Sequence, residues 1–155
     1  MSDTSNIETF NTLVGLIFGQ LYEAFPVPVG LNTDEIAQTL GVQGYTVREI
    51  LTGRDIVAEW GELMDGSAFW SFYSSALSWL CEEGLIRQVE PYEYVLTSAA
   101  LTALNARPDA LKEPLGRRLA GAAGSAASEA GRAAIGEVVG QVIGGVFKVI
   151  LSSSN

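Results

Sequence analysis

The chain has 155 residues, of which 48% are apolar, enough for one domain with a buried core and an appendage. Only 17% are charged, which excludes a generically disordered chain, and the absence of histidine together with a single cysteine, Cys81, excludes a disulfide framework and a Cys–His pair. The net charge of −9 is unevenly spread: residues 1–115 hold sixteen acids and five bases, whereas residues 116–155 hold four bases and two acids, so the acidic head argues against nucleic acid as a partner.

Met1 to Asn6 is polar and acidic, with no apolar run behind a basic flank. No secretory signal is expected there, and the lone cysteine fits a reducing, cytoplasmic setting. Ser5-Asn6-Ile7-Glu8 has the form of a capping box. Phe10, Leu13, Val14, Ile17, Phe18, Leu21 and Phe25 then recur at helical spacing and predict a helix with one buried stripe. The prolines of Phe25-Pro26-Val27-Pro28-Val29-Gly30 end it in an extended connector. Asn32 or Thr33 caps a short second helix with Ile36, Ala37 and Leu40 inward and Gly41 as its stop.

Val42 to Gly66 is ambiguous. Thr46 to Leu51 suits a strand or the first half of a helix, while Ile56, Val57, Trp60, Leu63 and Met64 favour a helix for the second half. Ser67 to Glu83 predicts a helix with Phe69, Trp70, Tyr73, Ala76, Leu77 and Leu80 inward, ended by Gly84. Five aromatic residues, Phe69, Trp70, Phe72, Tyr73 and Trp79, cannot all share that face. Phe72 and Trp79 lie off the main stripe and are either covered by the 42–66 segment or form a partner patch. Leu85–Val89 and Tyr92–Leu96 predict a hairpin turning at Glu90-Pro91, and Thr97 caps a further helix, Ser98 to Asn105.

The order helix, helix, helix, hairpin, with Trp79-Leu80-Cys81-Glu82-Glu83-Gly84-Leu85-Ile86 followed by Tyr94-Val95-Leu96-Thr97, resembles the junction of third helix and wing in the winged-helix superfamily. The resemblance covers about residues 8–105 and implies a mainly α (α+β) fold. The segment from Val42 to Gly66 stands as a long insertion between helices 2 and 3. Winged helices serve as DNA readers, docking modules and dimerisation units. Here the outward face of the third helix offers serines, Glu82 and aromatic residues but no Arg, Lys, Asn or Gln, and the wing tip Glu90-Pro91-Tyr92-Glu93 is acidic. The resemblance therefore implies protein contacts or scaffolding ahead of transcriptional regulation.

Arg107-Pro108-Asp109 and Glu113-Pro114 mark a linker. The expected organisation is a head over 1–107, a linker over 108–116, a Gly/Ala-rich helical tail over 117–152 and a disordered end over 153–155. In the tail Gly136, Gly140 and Gly144 recur every four residues, and Arg132 and Lys148 continue that column. Ile135, Val139, Ile143 and Phe147 form one neighbouring column, and Val138, Val142 and Val146 another. Each helix-interior glycine costs about 1 kcal/mol relative to alanine, so close backbone approach must recover the cost. A partner helix, a second copy, the head or a membrane could supply it. The interaction residues expected on this reading are Arg132, Gly136, Val139, Gly140, Val142, Ile143, Gly144, Phe147 and Lys148, with Phe72 and Trp79 on the head.

Nothing in the sequence points to catalysis. Without histidine the commonest general base is missing. Gly121-Ala122-Ala123-Gly124-Ser125 lacks the lysine of a phosphate loop. Asp34-Glu35 and Glu82-Glu83 are adjacent on helices and so point apart. The expectation is a non-enzymatic protein-interaction module without cofactor or small-molecule substrate, which self-associates or docks a protein partner through its glycine-striped helix. A membrane-associated or membrane-inserting effector is the alternative, and a winged-helix transcription regulator the third reading.

Overall fold

The computed structural model describes residues 6–42, 44–48, 51–53, 55–61, 63, 68–105, 114–123 and 128–153, with backbone alone at 44–48, 55–60, 120, 123 and 147–153. The expected Ser5 cap, the linker over 108–113 and residues 154–155 of the expected disordered end lie outside the described residues. In chain order the elements are α1 (Asn6–Ala24), β1 (Val29–Gly30), α2 (Thr33–Thr39), β2 (Gly44–Arg48), β3 (Asp55–Trp60), α3 (Phe69–Glu82), β4 (Ile86–Glu90), β5 (Glu93–Leu96), α4 (Ser98–Leu104), α5 (Leu115–Ala123) and α6 (Glu129–Ser153). The fold is thus mainly helical with a small antiparallel sheet of order β1-β5-β4 and a separate β2–β3 hairpin.

Helix α1 is the axis of the fold. Its sequence pattern suggests one buried stripe, but Thr12 to Gly19 are buried all round. A helix hidden on every side must be covered from more than one direction. The head covers one flank with α3 and β5, and α5 and α6 cover the other. Leu13, Ile17, Phe18, Ile36, Phe69 and Leu80 therefore share a single core cluster with Leu119, Ile135, Val138, Val139 and Val142. The tail is not a rod standing clear of the head. It is two helices, and Leu115 and Gly116, placed in the linker by the sequence, begin α5 and are buried.

Local signals explain most boundaries. Asn32 caps α2 by accepting from the Glu35 amide at 3.1 Å, and Gly41 leaves it at φ +77°. Ser128 caps α6 by accepting from the Gly131 amide at 3.0 Å. The helix expected over the second half of 42–66 is replaced by β3, paired antiparallel with β2 across a turn at Gly53, φ +66°. The β-branched pair Ile56-Val57 and the positive-φ glycine favour a hairpin over a helix turn there.

Thr97 ties the hairpin to α4. Its Oγ1 accepts from the Ala100 amide at 3.3 Å and donates to the Gly84 carbonyl at 2.6 Å. Thr97→Ala removes both contacts, and a loss of about 1–2 kcal/mol is expected in urea unfolding. Thr97→Ser, which keeps the hydroxyl, is expected to restore most of it.

Candidate interaction surfaces

Two surfaces stand out, one on α6 and one beside α3. On α6 the aliphatic columns point inward: Ile135, Val138, Val139 and Val142 are fully buried and Val146 nearly so. Val139 and Val142, expected from the sequence to meet a partner, are spent on the chain's own core. Ile143 is half-buried against the same core. Arg132 is half-buried, and the side chains of Phe147 and Lys148 lie outside the described residues. Across the α5–α6 seam, Arg118 Nη2 lies 3.7 Å from Glu137 Oε2.

The glycine column has the opposite fate. A Cβ added at Gly136, Gly140 or Gly144 would meet no described atom within 4 Å, and Gly140 and Gly144 are exposed. The close approach of helices occurs elsewhere, at Gly15 of α1. A Cβ there would overlap Ile135 Cγ2 and lie 3.2 Å from Leu119 Cδ1 and 3.4 Å from Val139 Cγ2. Gly116 plays a like part beside Tyr22, whose ring would lie 2.5 Å from an added Cβ. The aliphatic column of α6 seats into a notch on α1, and among the described residues nothing fills its own notched edge.

The second surface is a groove of about 490 Å³ lined by α3 and the β4–β5 hairpin, with Leu31 and Thr33 also in its lining. Helical spacing builds its first wall: Trp70, Ser74, Ser78 and Glu82 recur every four residues on α3, flanked by Tyr73, Leu77 and Cys81. Strand pairing builds the second, since Gln88 and Tyr94 are direct partners and Tyr92 stands at the turn. Trp70 and Tyr73 rings lie 5.7 Å apart, and the Thr33 hydroxyl is 3.5 Å from the Tyr73 hydroxyl. Burial raises the pKa of the Tyr73 and Tyr94 hydroxyls from the ordinary phenol value, which favours the neutral form of both rings. Burial likewise pushes up the Cys81 thiol, which leaves it protonated and a poor nucleophile.

For Trp70 this arrangement reverses the sequence expectation, while Phe69 and Tyr73 are buried as expected. Trp70, assigned to the inner face, is 54% exposed. Phe72 and Trp79, expected either beneath the 42–66 segment or in a partner patch, are half-buried against the core, and Trp79 meets Phe10 of α1 edge-on at a centroid distance of 5.3 Å. Among the described residues no helix is long and apolar enough to cross a membrane. Comparison with protein-family models, curated proteins and solved structures finds no match to the chain.

Proposed function

We propose that this chain is a non-enzymatic, cytoplasmic interaction module that self-associates through the glycine-edged face of α6. One observation carries the reading: among the described residues nothing packs against Gly136, Gly140 or Gly144, so no described contact recovers their helical cost of about 1 kcal/mol each. A second helix laid along that edge would approach backbone to backbone. A second copy offers the same edge, which makes a two-fold, self-complementary pairing the simplest arrangement.

The head's order of elements supports a winged-helix reading for residues 8–105: three helices, a β4–β5 hairpin and a short β1 on the hairpin's flank. Its acidic wing tip, Glu90 and Glu93, suits protein contacts better than phosphate. Membrane insertion of α6 would first expose Ile135, Val138, Val139 and Val142, at about 1.5–3 kcal/mol for each.

Light scattering on the eluting full chain tests the proposal. The expected wild-type mass is a multiple of 16.5 kDa. Gly140→Leu, which fills the open edge without touching the core, is expected to return it to the monomer. A wild-type monomer at high concentration, or an assembly untouched by Gly140→Leu, would sink the proposal. Flotation of the full chain with liposomes would favour the membrane alternative instead.

A further inference from the structure

We infer that the groove between α3 and the β4–β5 hairpin is a binding site for a small organic cation, an alkylated ammonium carried on an apolar body. The inference is independent of self-association through α6. Its volume, about 490 Å³, lies in the range of pockets that enclose small molecules. Four aromatic side chains, Trp70, Tyr73, Tyr92 and Tyr94, line it. Ring faces carry negative potential and attract cations, most of all those too weakly hydrated to resist leaving water.

Charge selects the same ligand. Glu82 lines the groove at the last turn of α3, and no Lys or Arg is among the described residues that line it. An acid at a helix C-terminus faces the negative end of the helix dipole, where a cation is favoured. Two like potentials therefore meet in one place and await a positive charge. The surrounding residues 1–115, with sixteen acids against five bases, extend the field outward.

The backbone adds a third observation. Tyr92 sits at φ +67°, a conformation that side-chain-bearing residues rarely adopt and that turns after proline ordinarily fill with Gly or Asn. The chain holds a large ring, 79% exposed, in the lining of the groove in spite of that strain. Local strain of this kind collects at ligand clamps.

The test uses the full chain, ¹⁵N-labelled, titrated with benzyltrimethylammonium and with benzyl alcohol as a neutral aromatic control. The expected result is saturable movement of the Trp70 indole N–H and the Gln88 and Tyr94 amides with the cation, weakened by salt, and far weaker movement with the alcohol. Trp70→Ala is expected to lower affinity about tenfold and Glu82→Gln about fivefold at low salt. Tyr92→Gly is expected to lower affinity while raising the unfolding temperature, a pairing that a purely structural role for the ring would not give. Equal response to cation and alcohol, or none to either at millimolar concentration, overturns the inference. A response only to trimethyllysine within a peptide overturns the small-molecule source.

Discussion

Gly15→Ala is expected to destabilise the fold, although alanine is the better helix former. The gain in helix propensity is about 1 kcal/mol. Against it stands the overlap of the new methyl with Ile135 Cγ2, in a place where Leu119 and Val139 are already within 3.2 and 3.4 Å of the Cβ position. Overpacking of a close-packed core costs about 1–3 kcal/mol and occasionally more. Ile135 and Val139 are fully buried, so a net loss of about 1 kcal/mol is expected in urea unfolding. Gly15→Val, with two further methyl groups, is expected to displace α6. The partner substitution identifies the cause. Ile135→Ala alone should cost about 2–5 kcal/mol, as for other large core truncations. Combined with Gly15→Ala it should cost less than the sum, because the added methyl enters the space that Ile135 vacates. Strict additivity, or a stabilised Gly15→Ala, would show that α1 and α6 do not meet there.

Replacing Gly136, Gly140 and Gly144 together by alanine is expected to do the reverse. Each position is helical and open, so the substitution gains helix propensity with no clash to offset it. The three together should add about 2–3 kcal/mol, or roughly 5–10 °C in unfolding temperature for a chain of this size. The measurement belongs in dilute solution, where association adds nothing to apparent stability. Concentrated samples should then show weaker self-association, since three methyl groups hold the paired backbones apart. Stability and assembly moving in opposite directions is the signature of glycines kept for contact. A triple variant that melts earlier would mean that the edge is packed within its own chain.

These two experiments probe the point where sequence and structure part. Periodicity on α6 shows an aliphatic face and a glycine edge, and both are present. It does not say which of the two meets the rest of the chain. The decisive notch, Gly15, is inconspicuous because it sits inside the apolar run Leu13 to Phe18, where a helical stripe reads as complete without it. All-round burial of α1 is the available clue: Leu16 falls off the stripe of Leu13, Ile17 and Phe18 yet is buried too.

The short elements of the head were more legible. Asn32, Gly41, Gly84 and Thr97 each act through a local backbone need, a cap or a positive φ, that depends little on distant packing. The 42–66 segment was less so. Ile56, Val57 and Trp60 satisfy helical spacing, yet the turn at Gly53 pairs their backbone with Gly44 to Val47. The groove was hidden for a different reason. Its walls come from residues on α3 and on the hairpin, which helical spacing read along α3 alone does not bring together.

The seating of α6 on α1 also sets an order of events during synthesis. The apolar surface of α1 is synthesised before the valines that cover it, which follow roughly 120 residues further along the chain. At ordinary elongation rates that surface waits on the order of ten seconds for its lid. Shortening the chain before Val138 would leave the flank of residues 13–21 that α6 covers without those valines.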